Sequence, residues 1–402
     1  MIAFPLSEAI SACQGMYVGD AALLGRPVTD ICIDSRKAAP GALYVPIIGA
    51  VHDGHAFIDG ARRNGALCVL TDRPLEAEPY ILVPDTLEAL QLLAKHYREK
   101  FSIPVIGITG SVGKTSTKEM LDTVLSGRYR TFKTPGNLNN QTGVPLTLFQ
   151  LGPEHTLAII EMGTNHPGEI RRLSAMVQPT ICVLTNVGVA HIEFFGTREN
   201  IFRGKAEMLE HMRPGGTVVV NGDDDMLIRL PGAVRFGFQA HNSVRAADEE
   251  DQGLDGSAFT VCCGDQQLRM HVPAPGRHMI YNALCAVDDE RAAVGHQGEF
   301  AHKHGLVDNL VFDLVYQPHR NVQWKGVRRV AVPALLFVVL GLFVHAVINE
   351  AQFQITGIVH DGGHIGKHLA QAGIQEPLIA LLLDLQQLSL IHISEPTRLR
   401  CI

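Results

Sequence analysis

The sequence predicts an α/β protein: a small N-terminal α/β unit, a central P-loop domain on a mostly parallel sheet, and a C-terminal region of uncertain fold. Three observations predict it. Short apolar runs alternate with stretches of helical spacing through about residue 286. A glycine-rich loop sits between one such run and the helix that follows, and the alternation fades after Val287.

Residues 1–100 form the first unit. "GALYVPIIGA" (41–50) followed by "HAFIDGARRNGALCVL" (55–70) sets strand-like runs beside a helical stretch with Gly-containing turns. The opening "MIAFPLSEAISACQGM" has no basic stretch and carries Glu8, so it does not read as a signal peptide. Residues 101–286 form the second unit, with strands expected at 105–108, 157–161, 181–185 and 216–221. Between the first two lies "GITGSVGKTSTKEM" (107–120). A strand ending at Thr109, then Gly110, Gly113, Lys114 and Thr115, then a helix with Met120, Leu121, Val124 and Leu125 on one side, is the setting a phosphate-binding loop requires. Glycines let backbone N–H groups close on phosphate oxygens, the helix N-terminus adds positive potential, Lys114 adds a point charge, and Thr115 would reach Mg²⁺. The spacing is GxxGxxGKT, since Ile108 stands where the common GxxxxGK[ST] pattern has glycine.

Composition narrows the function. The chain has 402 residues, enough for two to four domains, and is 46% hydrophobic with 19% charged residues and a formal net charge of -7. No overall basic field is present to attract nucleic acid. The eight Cys show no CxxC spacing, against a zinc site or disulfide framework and in keeping with a reducing cytoplasm. Glu161 closes an apolar strand in "AIIEMGTNHPGEI", where its carboxylate would face a ligand at the carboxyl edge of a parallel sheet. "TNVGVAHIEFFGTRENIFRGKAEM" then offers His191 and, on a helix, Lys205. Each has an ordinary structural reading alone: a solvated strand end, a structural His, a surface charge. Together after a P-loop, a carboxylate and an imidazole at adjacent strand ends suit a hard cation held mainly by phosphate oxygens.

These residues carry a family resemblance. "DSRKAAPGALYVPIIGAVHDGHAFIDGARRNGA", "TPGNLNNQTGVPLTLF", "EMGTNHPGEI" and "PGRHMIYNAL" resemble segments of the ATP-dependent Mur ligases of peptidoglycan synthesis over about residues 1–286. Within that family the likeness is closest to the members that join D-Ala-D-Ala to UDP-N-acetylmuramoyl-tripeptide; a sibling adding another amino acid is the nearest alternative. The resemblance implies an acyl phosphate made from the peptide carboxylate and the γ-phosphate of ATP, then displaced by the amine. It implies that Gly110, Ser111, Val112, Gly113, Lys114, Thr115 and Ser116 hold the ATP phosphates, with Asn137 near the γ-phosphate and Asn282 at adenine. Thr115, Glu161, His191 and a carbamylated Lys205 would bind Mg²⁺, making Lys114, Lys205, Glu161 and His191 the catalytic set. Ser35 and Arg36 would hold the uridine-diphosphate end of the substrate. A cytoplasmic monomer that binds neither nucleic acid nor membrane is expected.

Two departures from the family pattern stand out. Met279 replaces the first Asn of "GRHNxxNAL", and no acidic, Asn-rich "DDSYNAN"-like segment follows Asn282. The central unit is therefore expected to be truncated, with residues 287–402 in place of the family's third domain. Nine of the 19 His fall in that last part. Three readings stay open for it. One is a membrane anchor at 330–348, "VAVPALLFVVLGLFVHAVI", which has no formal charge and follows Lys325, Arg328 and Arg329. The same run would also serve as a buried helix of a divergent domain. The third reading is a frame-shifted, reverse-strand or chimeric translation, for the tail "LSLIHISEPTRLRCI" looks like translated adapter sequence. "HDGGHIGKH" (360–368) fits no common metal-ligand spacing. A ligase that no longer joins its substrates, a non-catalytic remnant binding UDP-substrate and nucleotide, and a membrane-tethered nucleotide-binding protein are the corresponding functions.

Overall fold

The structure, a computed structural model, describes residues 1–49 and 51–295. The N-terminal part holds β1 (Phe4–Pro5), α1 (Leu6–Ala12), β2 (Met16–Val18), β3 (Pro27–Val28), β4 (Asp30–Cys32), β5 (Ala42–Tyr44), α2 (Ile58–Arg63), β6 (Cys68–Thr71), β7 (Tyr80–Leu82) and α3 (Thr86–Glu99). Five strands form one sheet in the order β2-β7-β6-β5-β4, parallel from β4 to β7 with β2 antiparallel at the edge, and β1 pairs with β3 in a separate ribbon.

The central part holds β8 (Val105–Thr109), α4 (Lys114–Leu125), β9 (Thr131–Lys133), α5 (Gly143–Leu148), β10 (Leu157–Glu161), α6 (Glu169–Val177), β11 (Ile181–Leu184), α7 (Ile192–Phe195), α8 (Arg198–Ala206), β12 (Thr217–Asn221), β13 (Val234–Gly237), β14 (Val244–Asp251), β15 (Ser257–Cys263), β16 (Gln266–Val272) and α9 (Arg277–Gly295). Its nine strands run β16-β15-β14-β13-β12-β11-β8-β10-β9, parallel at every pairing from β9 across to β14 and antiparallel at β14-β15 and β15-β16. All four expected strands are present. The helix and strand alternation does not hold over 234–272, where β14, β15 and β16 follow one another as an antiparallel meander. Gly264 and Asp265 make a two-residue hairpin turn there, with Gly264 at φ 57°.

Period-two geometry sends alternate residues of each parallel strand to opposite faces. Val105, Ala158, Ile160, Cys182 and Leu184 enter one core; Ile106, Ile108, Ile159, Ile181 and Val183 enter the other. Both faces are covered, which is why these strands read as continuous apolar runs. On the second face α4 contributes Leu121 and Leu125, fully buried, with Met120 and Val124 partly so, and α9 adds Ile280, Ala283 and Leu284.

The first face reaches back into the N-terminal part through α3. Its N-cap is Asp85, whose carboxylate accepts from the N–H groups of Leu87 (2.7 Å) and Glu88 (2.9 Å). Ala89, Leu90, Leu93, Ala94 and Tyr97 lie on one buried stripe and pack against α5 and α6 through Val144, Leu148, Phe149, Ile170 and Leu173. The Tyr97 hydroxyl donates to the Leu151 backbone oxygen at 2.6 Å. Among the described residues no helix is long and apolar enough to cross a membrane. The candidate span at 330–348 and the "HDGGHIGKH" stretch lie outside the described residues.

Candidate functional site

The chain steps from β8 out to β9 and β10 on one side, then returns to β11 on the other. Such a reversal leaves a crevice beyond the carboxyl ends of the strands, and the loop after β8 sits in it. Gly113 adopts φ 83° at the entrance to α4, a left-handed conformation that suits glycine, and a Cβ there would stand 3.1 Å from Asn282 Oδ1. At Gly110 a Cβ would come within 1.9 Å of Thr185 Oγ1. Both glycines are set by close approach.

The residues after β11 hold the loop in shape. Asn186 Oδ1 accepts from the N–H groups of Ser111 (3.1 Å) and Val112 (3.0 Å), while Asn186 Nδ2 and Thr185 Oγ1 donate to the Val112 oxygen at 3.0 and 2.7 Å. The Gly188 N–H donates to Ser111 Oγ at 2.9 Å. Sequence reasoning passed over Asn186. The only signal was the "TN" closing an apolar strand, the place where a side chain meets a neighbouring strand's loop. Asn186→Ala removes all three side-chain bonds with the loop, and unfolding by urea should show a loss of about 1–3 kcal/mol.

Lys114 begins α4 with its Nζ donating to the Gly110 oxygen at 2.9 Å; burial pulls its ammonium below the usual range, with Glu161 acting the other way. Thr115 Oγ1 lies 3.2 and 3.0 Å from the two Glu161 carboxylate oxygens. Glu161 is buried, its backbone N–H donates to Thr134 Oγ1 at 2.9 Å, and Asn139 Nδ2 donates to its Oε1 at 2.8 Å. Lys205 sits near the end of α8 with 3% of its surface exposed. Desolvation, with Lys114's charge acting the same way, lowers its pKa to about 7. At neutral pH a large share of Lys205 is therefore the free amine.

Other expected residues are placed differently. The strands that carry Glu161 and precede His191 are not adjacent: β8 lies between β10 and β11, so both flank the P-loop strand. His191 is not at a strand end either. It is exposed, at φ 61°, at the N-terminus of α7, seven residues past the end of β11. Among the described residues no three His, Cys, Asp or Glu side chains gather as a metal-holding group. Asn137 is exposed, and Asn139, two residues on, is the one that touches Glu161. Asn282 is buried under α4, its Oδ1 accepting from Thr117 Oγ1 at 3.2 Å and its Nδ2 lying 3.6 Å from Met279 Sδ. Ser35 and Arg36 belong to the five-stranded part, where the Asp34 carboxylate accepts from the Arg36 guanidinium at 2.9 and 2.8 Å.

A parallel sheet with a glycine loop and lysine at its central strand, a carboxylate on one flanking strand and loop-capping amides on the other defines a P-loop protein of the α/β class. Residues 108–288 match the Mur ligase middle domain, and residues 27–98 match the Mur ligase family, catalytic domain. The chain belongs to the Mur ligase family. It is 35% identical over 293 residues to the UDP-N-acetylmuramoyl-tripeptide–D-alanyl-D-alanine ligase of Escherichia coli, covering 71% of this chain and 64% of that protein. The enzyme of the same name from Synechocystis is 37% identical over 270 residues, covering 65% of this chain and 57% of that protein. The chain thus spans about three fifths of these relatives' length. A crystal structure of MurF from Acinetobacter baumannii superposes with a TM-score of 0.70 at 31% identity, covering 82% of this chain and 71% of that one. The MurF ligase of Thermotoga maritima in complex with ADP gives 0.64 at 29% identity, covering 72% and 66%.

Proposed function

We propose that this chain is an ATP-dependent amide ligase of peptidoglycan precursor synthesis in the cytoplasm, joining D-Ala-D-Ala to UDP-N-acetylmuramoyl-tripeptide. The observation that carries the reading is the meeting of the phosphate loop with Thr115 and Glu161, beside a buried Lys205 that feels the charge of Lys114, in a chain whose relatives bear that activity in their names. The peptide carboxylate oxygen attacks the γ-phosphorus of ATP and ADP departs; the amine then attacks the acyl carbon, phosphate leaves, and an amide remains. Such phosphoryl transfer asks the protein for positioning and for positive charge.

The residues supply both. Within the loop from Gly110 to Ser116, the backbone N–H groups of Gly113, Lys114, Thr115 and Ser116, which Asn186 does not engage, face the phosphates, and Lys114 sets a cation beside them. The Thr115 hydroxyl and Glu161 carboxylate, two hard oxygen donors 3.0 Å apart, fit Mg²⁺, which keeps several waters and takes few protein ligands besides phosphates. When bound, Mg²⁺ supplies charge neutralisation at the phosphoryl oxygens. Lys205 as a free amine can add carbon dioxide to become a carbamate, turning a group that would repel the cation into one that attracts it. His191 would approach a cation only from its exposed loop. Ser35 and Arg36, in the turn that follows β4, are assigned to the uridine diphosphate, Asn137 to the γ-phosphate and Asn282 to the adenine side.

The test is phosphate release by the full chain with ATP, Mg²⁺, UDP-N-acetylmuramoyl-tripeptide and D-Ala-D-Ala. Release that depends on D-Ala-D-Ala is expected. Binding of the UDP-substrate without release would replace the ligase reading by that of a binding module.

A further inference from the structure

Lys118 lies on α4 one turn past Lys114, is wholly buried, and has no part in the chemistry above. A buried ammonium persists when its protons find acceptors and a counter-charge lies near. Its Nζ donates to the backbone oxygens of Thr134 at 2.9 Å and Gly136 at 2.7 Å. It stands 3.4 Å from Glu119 Oε1 and 3.6 Å from Glu161 Oε2. Glu119 is half exposed and also pairs with Lys133, whereas Glu161 is buried. Lys118 therefore joins the segment 134–139 to the one buried carboxylate of the phosphate site. That same segment touches Glu161 twice more, through Thr134 Oγ1 and Asn139 Nδ2.

Resting on the nucleotide reading, we infer that Lys118 is a positioning residue with two effects on Glu161. It docks segment 134–139 so that Asn139 fixes the carboxylate. Its charge also weakens the carboxylate's hold on a lone divalent cation, so that the cation is retained only together with phosphate. The second effect follows from Coulomb repulsion between a fixed ammonium and a dication sharing one carboxylate. Mg²⁺ gives up its waters reluctantly, and a site of few protein ligands becomes tight only when phosphate oxygens complete it. Lys114, bonded to the Gly110 oxygen, serves the phosphates; Lys118 serves the carboxylate.

Two variants of the full chain separate the effects. Lys118→Gln keeps amide donors for the two backbone oxygens but drops the charge. Calorimetric binding of ADP across a Mg²⁺ series should then reach half-saturation at about tenfold lower Mg²⁺. Lys118→Met drops the donors as well, and amide hydrogen exchange over 134–139 should quicken at least about tenfold while β10 and β11 keep native protection. An unchanged or higher Mg²⁺ midpoint in the Gln variant overturns the charge effect, and unchanged exchange in the Met variant overturns the docking. Should the native chain bind no ADP at any Mg²⁺ concentration, the nucleotide reading falls by itself. Mn²⁺ binding to the nucleotide-free chain, followed by electron paramagnetic resonance, still decides the charge effect: tighter binding in Lys118→Gln than in the native protein supports it, and equal binding overturns it.

Discussion

The native chain should gain stability with rising pH between about pH 7 and 10.5, and Lys205→Met should abolish that rise. The sign follows from the proton balance. The buried amine titrates near 7 in the folded protein and at its ordinary 10.5 once unfolded, so in that window the unfolded chain holds the extra proton. Folding is then favoured by rising pH and opposed as pH falls toward 7, at about 1.4 kcal/mol per pH unit. The whole window amounts to several kcal/mol, at most about 5. Met matches the length of the lysine stem and carries no proton. Urea unfolding of both proteins at pH 7, 8 and 9 in CO₂-free buffer should show the variant ahead at pH 7 and the two converging upward. Parallel profiles would mean that Lys205 is not held as a free amine. Adding ¹³C-bicarbonate to the native protein should produce a carbamate carbon resonance that the variant lacks.

Lys114→Ala should weaken ADP binding by about 10- to 100-fold in calorimetry at fixed Mg²⁺, corresponding to the 1.5–3 kcal/mol of one hydrogen bond to a charged group. The fold should tolerate the change, because the Lys114 ammonium is already burdened by burial and bonds only to the Gly110 oxygen within the loop itself. An affinity within twofold of native would remove Lys114 from the phosphates. Phosphate release, where the native chain shows it, should fall with the affinity, since cations matter most as charge shifts in the transferring group.

The parallel core and the phosphate loop were legible because their signals are local. Val105 to Thr109 is a continuous apolar strand, and the glycines and lysine that follow are fixed by what a backbone must do around phosphate. The meander from β14 to β16 was harder to see. Its alternation is interrupted by the acidic residues of β14 and a register shift between Ala247 and Glu250, so only the two-residue Gly264-Asp265 turn betrays a hairpin. The site's amides were less legible still. Asn139 and Asn137 sit two residues apart in one polar segment, and which of them meets Glu161 depends on the path of a backbone that Lys118 bonds just before them, at Thr134 and Gly136. Asn186 acts on residues 74 and 75 positions away in sequence, through the adjacency of β11 and β8. Sequence spacing also set Glu161 and His191 on neighbouring strands, because strand order in a sheet that reverses at its centre is not chain order.

The buried stripe of α3 carries a consequence for how the molecule comes apart. The turn after α3, near residue 100, looks from the sequence like a seam between two units. Yet Leu90, Leu93 and Tyr97 insert among Val144, Phe149 and Leu173, so a cut there divides a single apolar cluster and leaves each piece with an open wound of Leu, Phe and Tyr. The two sheets should accordingly share one cooperative melting event, and a fragment ending at residue 100 should aggregate rather than fold. A chain joined this way has no point near residue 100 where it can be divided without opening its core.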